Sequence, residues 1–386
     1  MVAGKINVVQ LLPELNEGGV EKGTLEMGAF LTALGHRSIV ISGGGRMVRT
    51  LERDGSIHIN WPHIGEKSPR CLKYLFPLRA FLLRERVDIV HLRSRLPAWI
   101  GYLAWKSLPK KKRPVLVTTF HGFYSVNAYS AIMTKGEKII AVSKTIADHI
   151  ESAYGIDAER IIVIPRGVDE NIFSPDHVTA ERIQNLKARW GLPNDLVPVV
   201  LLPGRVTRLK GHDVFLKSLS MISDLPWKAL IVGEINTTSE YTRILKNTVA
   251  ELNLKERVHF VGHCADMPAA MALADVVVSS STKPESFGRT SVEAQAMGKP
   301  VIVSAHGGSL ETVLDGKTGW HVKPGDAESL SACLREALTD GNLRKMRGDE
   351  ARKWVAGNFT VRKMCEKTVA LYETLLTRKR NSSAAR

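Results

Sequence analysis

The 386-residue chain contains only four cysteines, Cys71, Cys264, Cys333 and Cys365, and they lie far apart. None forms a C-x-x-C. Neither a disulfide framework nor a zinc site is expected, and reduced, buried thiols in a cytoplasmic protein are the default. Long hydrophobic runs are also missing. Apolar stretches such as 161–164 and 269–274 fall far short of the ~20 residues that cross a bilayer. The N-terminal MVAGKINVVQLLPELNEGG lacks the apolar h-region and small-residue cleavage site of a signal peptide. No internal repeat occurs, and low complexity is confined to the tail 381–386. Two phosphate-binding fingerprints fail. Gly18 and Gly23 have the spacing of a P-loop, but Thr24 stands where lysine is required. Gly43-Gly44-Gly45 is followed by Val48 where G-x-G-x-x-G needs its third glycine. No nicotinamide or flavin cofactor is therefore expected. No Asp-x-Asp triplet occurs either, so no metal is expected at a site of that kind.

Positive charge is abundant. Lys and Arg number 54 against 39 Asp and Glu, a formal charge of +15, which calls for an anionic partner. Residues 67–113 hold thirteen Lys/Arg against two acids, Glu85 and Asp88, so +11 of the excess sits in one stretch. A solvated face is the bland explanation. Nucleic acid, an anionic membrane surface and a phosphorylated substrate are the sharper ones. No helix-turn-helix, RNA-recognition or zinc motif accompanies the charge, so nucleic acid is not expected as a partner.

The length suits two domains of similar size. Short Val/Ile-rich runs at 6–11, 37–41, 88–92, 115–119, 138–142 and 160–164 alternate with amphipathic stretches, the first of them a helix over 20–34. The alternation resumes at 199–202, 229–232, 258–261, 275–279 and 301–304. Nearly continuous apolar runs mark parallel strands buried on both faces, and strand–helix alternation marks a doubly wound α/β fold. Domain boundaries are expected at 1–170 for the first Rossmann-like domain, 171–196 for a linker containing Pro175 and Pro193, 197–358 for the second domain, and 359–386 for a C-terminal helix and tail. That last helix is expected to pack back towards the first domain. Two such domains imply a cleft, with ligands beyond the carboxyl ends of the strands.

The residues that follow each strand are therefore the ones to read. Gly18 and Gly19 precede a helix, where backbone can approach a ligand and the helix N-terminus favours anions; the pair also suits a simple turn. Arg205 and Lys210 lie five apart in the glycine-bounded loop PGRVTRLKG. A bidentate guanidinium with a mobile ammonium suits a diphosphate, although an exposed basic loop is equally compatible with this segment alone. Glu285 follows the strand 275–279 and lies just before a helix expected from Gly288 to Met297, with Gly298 as its stop. Glu293 lies inside that helix among apolar flanks, so a buried carboxylate there needs a partner such as sugar hydroxyls. The backbone N–H groups of Gly288, Arg289 and Thr290 form a ready anion site. In the first half, His121 follows the strand 115–119, and Arg93 and Arg95 follow 88–92.

Together these pieces resemble a retaining glycosyltransferase of the GT-B fold, in the large family-four group. The resemblance spans roughly residues 6–376. Its most specific piece is Glu-x7-Glu, here Glu285 to Glu293 in PESFGRTSVEAQAMGKPVIVS, continuing into Gly307-Gly308-Ser309-Leu310-Glu311 and Asp315-Gly316-Lys317-Thr318-Gly319. Supporting pieces are Gly204-Arg205 with Lys210-Gly211, Gly18-Gly19, Thr119-Phe120-His121-Gly122, Ala141-Val142-Ser143, and Gly167-Val168-Asp169 with Phe173. The resemblance implies that Glu285, His121, Arg205 and Lys210 serve the reaction. It implies that Gly18, Gly19, Arg205, Lys210, Ser286, Phe287, Gly288, Arg289, Thr290 and Glu293 bind a nucleotide-diphospho-sugar, a UDP-sugar above all. Glu285 would bond the transferred sugar, Glu293 the ribose hydroxyls, and His121 would sit beside the anomeric centre. No cofactor is implied, because the nucleotide sugar is a substrate. The family usually has Asn before Gly-Val-Asp, and this chain has Arg166, which suits a salt bridge or, with Arg93 and Arg95, the acceptor side. His91-Leu92-Arg93-Ser94-Arg95 and Tyr124-Ser125-Val126-Asn127 look similar to bacterial lipopolysaccharide and envelope-polysaccharide transferases. That likeness implies a glycan or glycolipid acceptor, and the basic stretch, with Trp99, Leu103 and Trp105 among its charges, suits the cytoplasmic face of an inner membrane. The rival readings are a GT-B sugar-nucleotide epimerase or phosphorylase and a non-catalytic basic binding protein.

Overall fold

The computed structural model describes residues 4–16, 18–193, 195–236 and 238–384. The chain divides into two units, Met1–Gly167 with Val361–Arg386, and Val168–Thr360.

The first unit holds a seven-stranded, wholly parallel sheet. Its strands are β1 (Asn7–Leu11), β2 (Arg37–Ser42), β3 (Ile57–Asn60), β4 (Ile89–Leu92), β5 (Val115–Phe120), β6 (Lys138–Ala141) and β7 (Ile161–Val163), in the order β3-β2-β1-β4-β5-β6-β7. The second unit holds a six-stranded parallel sheet of β8 (Val199–Pro203), β9 (Lys228–Val232), β10 (Val258–Gly262), β11 (Val276–Ser279), β12 (Val301–Ser304) and β13 (Gly319–Val322), in the order β10-β9-β8-β11-β12-β13. The order reverses beside β1 and β8, and the carboxyl ends there are where doubly wound sheets bind ligands.

All eleven expected strands form, with ends shifted by a residue or so. The structure adds β3 and β13, each at a sheet edge. Ile57-His58-Ile59-Asn60 alternates apolar with polar residues and is largely exposed, so it has no continuous apolar run to read. Gly319-Trp320-His321-Val322 opens on glycine and carries a histidine, which masks its strand character. Residues 171–196 fall inside the second unit. There the helix Ala180–Arg189 is capped by the Thr179 side chain, and Arg182 grips Asp266 with two hydrogen bonds of 2.6 and 2.9 Å.

The helix Val361–Ala384 belongs to the first unit. Cys365, Val369, Leu371, Tyr372, Leu375 and Leu376 enter one core with Ile6, Val8, Ile89, Val115 and Val117 from the sheet. Each such fully buried apolar side chain contributes ~1.5–3 kcal/mol relative to exposure. The helix also delivers a polar group to the core. Tyr372 Oη lies 2.6 Å from His91 Nδ1, and His91 Nε2 lies 2.6 Å from Thr119 Oγ1, all buried. Burial, reinforced by nearby Arg93, pushes the His91 pKa well below its ordinary value, so this chain of hydrogen bonds runs through a neutral ring. The cysteines are free thiols, with Cys71, Cys264 and Cys365 buried. Among the described residues, no helix is long and apolar enough to cross a membrane.

Candidate active site

In the second unit, the loop after β8 begins at Gly204 and ends at Gly211, which opens the helix His212–Ser220. Gly211 has φ +65°, and a Cβ there would stand 2.0 Å from the Ser280 carbonyl oxygen, so the loop can press against the end of β11 only with glycine at this place. That contact brings residues 75 apart together. Lys210 Nζ donates to Glu285 Oε1 at 2.6 Å. Ser281 Oγ donates to the same oxygen, and Ser279 Oγ does so at 3.4 Å. Burial of Glu285 opposes its ionisation. The Lys210 ammonium and the hydrogen bonds from Lys210, Ser281 and Ser279 outweigh it, so its carboxyl stays below the usual range. Arg205, in the same loop, is exposed.

The Glu285 backbone is clamped from behind. Its carbonyl accepts from Gly308 N at 2.7 Å, and Glu285 and Gly307 form an isolated parallel bridge. Three residues on, Gly288 takes φ +83° and opens the helix Arg289–Ala296 without a side-chain cap. The hydroxyls of Thr290 and Ser291 in its first turn are buried and lack a partner among the described residues. Unpartnered buried hydroxyls at a helix start suit an anion or a polyol. Ser286 is half-buried, whereas Phe287 is buried, its ring edge-on against Phe359 at 5.7 Å and its backbone close against Gly308.

Glu293 is buried, and the structure supplies a partner that sequence reading passed over. Arg289 Nε donates to Glu293 Oε1 at 3.0 Å, one helical turn away. The i,i+4 spacing was the available signal. Ser279 and Ser281 were also missed. They precede Glu285 on alternate positions, where an extended chain points both to one side.

In the first unit, Gly18 has φ +133° and precedes the helix Gly19–Ala33. Arg166 Nη1 donates to the Gly19 carbonyl, and Arg166 Nη2 lies 2.8 Å from His121 Nδ1. Arg93 is buried and donates from Nη1 to Gln10 Oε1 at 2.9 Å; its Nε has no partner among the described residues. Arg93, His121 and Arg166 share the wall of a small pocket of about 30 Å³ with His91, Gly23 and Met27. Arg95 is directed elsewhere. Its guanidinium stacks over Tyr124 at 4.7 Å and Tyr129 at 5.4 Å, and Nη1 donates to Ser130 Oγ at 3.3 Å.

The basic stretch divides by exposure. Lys110, Lys111 and Lys112 form an exposed turn, while Arg113 folds back onto Leu108 O and over the Trp105 ring. Trp99 and Trp105 are tied inward, their indoles donating to Tyr129 O and Pro114 O. Of the three apolar residues named in this stretch Leu103 is exposed, and Leu72 and Phe76 join it, on or beside the packed helices Leu75–Arg84 and Arg95–Lys106. Phe76 is 76% exposed.

Residues 17–172 match the profile of Glycosyltransferase Family 4, and residues 184–354 that of Glycosyl transferases group 1. A glycosyltransferase of known structure from Rickettsia africae ESF-5 is 35% identical, covers 96% of this chain and 99% of its own, and superposes with a TM-score of 0.88. Anabaena Alr3699/HepE, solved in complex with UDP-glucose, is 23% identical over 96% of this chain and 100% of its own, with a TM-score of 0.81, and shares the fold. The mannosylfructose-phosphate synthase of Agrobacterium fabrum is 31% identical over 249 residues, 61% of this chain, and the chain spans about half, 53%, of that relative's length. Two parallel-sheet units of Rossmann type, both family profiles and a full-length relative lead to one conclusion: the chain belongs to the group 1, family 4 glycosyltransferases of the GT-B fold.

Proposed function

We propose that the protein moves a hexose from a nucleotide-diphospho-sugar, a UDP-sugar for preference, to a glycan or glycolipid acceptor with retention of configuration, in the synthesis of bacterial lipopolysaccharide or envelope polysaccharide. The observation that carries this reading is the Lys210–Glu285 pair at the carboxyl edge of β8 and β11, beside exposed Arg205 and the Gly288 helix start. As a nucleoside diphosphate departs, negative charge grows on its terminal phosphate. Lys210, Arg205 and the first-turn N–H groups can meet that charge with preorganised positive ends. Glu285, ionised and backbone-clamped, suits the hydroxyls of the transferred sugar. The UDP-glucose complex of the Anabaena neighbour favours a uridine donor. A donor screen tests the reading. UDP-, GDP-, ADP- and dTDP-sugars are compared by thermal shift and by slow hydrolysis without acceptor, in EDTA and with added Mg²⁺ or Mn²⁺. One nucleotide sugar is expected to raise Tm and to be hydrolysed equally in EDTA. Turnover lost in EDTA and restored by metal would overturn the site as drawn.

The acceptor side of the proposal rests on charge. Exposed Leu72, Phe76 and Leu103 lie on or beside two packed helices in the same stretch of chain as Arg70, Lys73, Lys106 and Lys110–Lys112. Apolar groups among cations suit the anionic cytoplasmic face of a membrane, where a glycolipid acceptor would lie. Binding to vesicles containing phosphatidylglycerol is expected to fall with salt, as charges are screened over ~8 Å at physiological ionic strength. Phe76→Ser should weaken binding at constant charge. If neutralising Lys73, Lys110, Lys111 and Lys112 leaves vesicle binding unchanged, the stretch is a solvated surface.

A further inference from the structure

We infer that Arg166 is a positioning residue: it holds His121 as the neutral tautomer protonated on Nε2, so that His121 serves its ligand as a hydrogen-bond donor and not as a base. The assignment rests on the transferase reading only for the identity of that ligand, the reacting sugar.

Guanidinium groups donate and never accept. With Arg166 Nη2 2.8 Å from His121 Nδ1, the ring nitrogen must be the acceptor, and the single proton of the neutral ring is on Nε2. An imidazolium would set an N–H against an N–H and a cation against a cation. Nε2 is itself buried and has no partner among the described residues, and His121 contributes to the wall of the pocket shared with Arg93 and Arg166. A buried donor without a partner is a place for a ligand acceptor.

The surroundings act in the same direction. Arg166, Arg93 and His91 face the His121 ring, and the Tyr124 hydroxyl accepts weakly from its backbone N–H at 3.4 Å. Two acids of the helix Gly19–Ala33 lie close by: Glu21, whose pKa burial raises and which feels both arginines, and Glu26, which acts on Arg93. Burial first, then Arg166, Arg93 and His91, push the His121 pKa well below its ordinary value. His121 is therefore neutral where ordinary histidines titrate. The second arm of Arg166 reaches the Gly19 carbonyl, so one side chain ties the start of the first helix to the catalytic histidine. The usual family asparagine at this position is too short to span both while carrying the charge.

The test is ¹⁵N-histidine NMR on the full-length protein, with His121 signals assigned by their loss in His121→Gln. The wild type is expected to show the Nε2–H pattern at neutral and mildly acidic pH. Arg166→Met removes donor and charge. It should mix the tautomers, move imidazolium formation to higher pH, and lower kcat on the order of tenfold with little change in donor KM. Arg166→Lys keeps charge and a donor, and should restore part of both. A wild-type His121 protonated on Nδ1, or charged at neutral pH, overturns the assignment. So does an Arg166→Met protein that stays folded and keeps the wild-type tautomer and pH profile. A wild type inert to every nucleotide sugar overturns the transferase reading instead, while the His121 signals still decide the tautomer.

Discussion

Lys210→Ala is expected to lower kcat by ~10²–10³-fold, the loss typical of one preorganised group that meets developing charge. It should also lower stability by ~1.5–3 kcal/mol, because Glu285 loses its charged hydrogen-bond partner in a largely buried place. Glu285→Ala should cut kcat comparably, but the two variants part company on product affinity. In the resting protein the ammonium of Lys210 is already neutralised by Glu285, so an arriving diphosphate must share it. Removing Glu285 frees Lys210 for phosphate, and UDP should bind at least as tightly as to the wild type. Removing Lys210 leaves a bare carboxylate beside the phosphate site, and UDP should bind more weakly. Glu293→Ala tests the proposed ribose contact: a raised donor KM with kcat largely spared is the result expected of a contact equal in ground and transition states, whereas a lowered Tm without a donor defect means that its pair with Arg289 is structural. Calorimetric titration with UDP, donor kinetics and melting temperature on all three variants check this. A Glu285→Ala enzyme with near-normal kcat on its true donor would sink the assignment of the site. Because the Glu285 carboxyl is held below its ordinary range, the pair's stabilisation is complete above the usual carboxylate pKa. It is lost only as pH falls through the lowered value.

The parts of this molecule legible in the sequence are those governed by local pattern. Strands buried on both faces, such as 115–119 and 301–304, announce themselves as apolar runs, and Gly298 and Gly211 mark helix boundaries. The edge strand Ile57–Asn60 escapes because it alternates apolar with polar residues and reads as surface, whereas the edge strands β7 and β10 keep enough apolar character to be read. The motifs point to loops that the structure places at the carboxyl ends of β8, β11 and β5. What they could not give is which groups meet. Lys210 and Glu285 are 75 residues apart, Arg166 and Gly19 are 147 apart, and His91 and Tyr372 are 281 apart. Those pairings depend on strand order, which no local spacing encodes. The Arg289–Glu293 contact is the opposite case. Its i,i+4 spacing was open to reading, and the assignment of both residues to a ligand hid it. Trp99 and Trp105 likewise stood out by composition, and only the structure shows their indoles hydrogen-bonded inward while Leu72 and Phe76 are exposed.

Gly307→Ala is expected to damage the site from the back, with a fall in both melting temperature and kcat. Gly307 takes φ +62°, a left-handed conformation that costs an L-residue roughly 1–2 kcal/mol. A methyl group there would also stand 2.5 Å from the Glu285 carbonyl oxygen and 2.8 Å from its nitrogen. Both are main-chain atoms and cannot swing aside as a side chain can. The segment carrying Glu285 must therefore move, and with it the carboxylate that bonds Lys210 at 2.6 Å. A shift of about 1 Å in a positioning group can cost on the order of 10²-fold in rate. The backbone strain can be separated from the clash. Gly316 has a similar φ of +70°, and a methyl group there would meet nothing within 4 Å. Gly316→Ala should lose the stability that the left-handed conformation costs and keep its kcat. The difference between the two variants then measures how much the fit of Gly307 against Glu285 contributes to catalysis. Equal kcat in both would mean that the Glu285 segment tolerates displacement and that its backbone clamp serves stability alone.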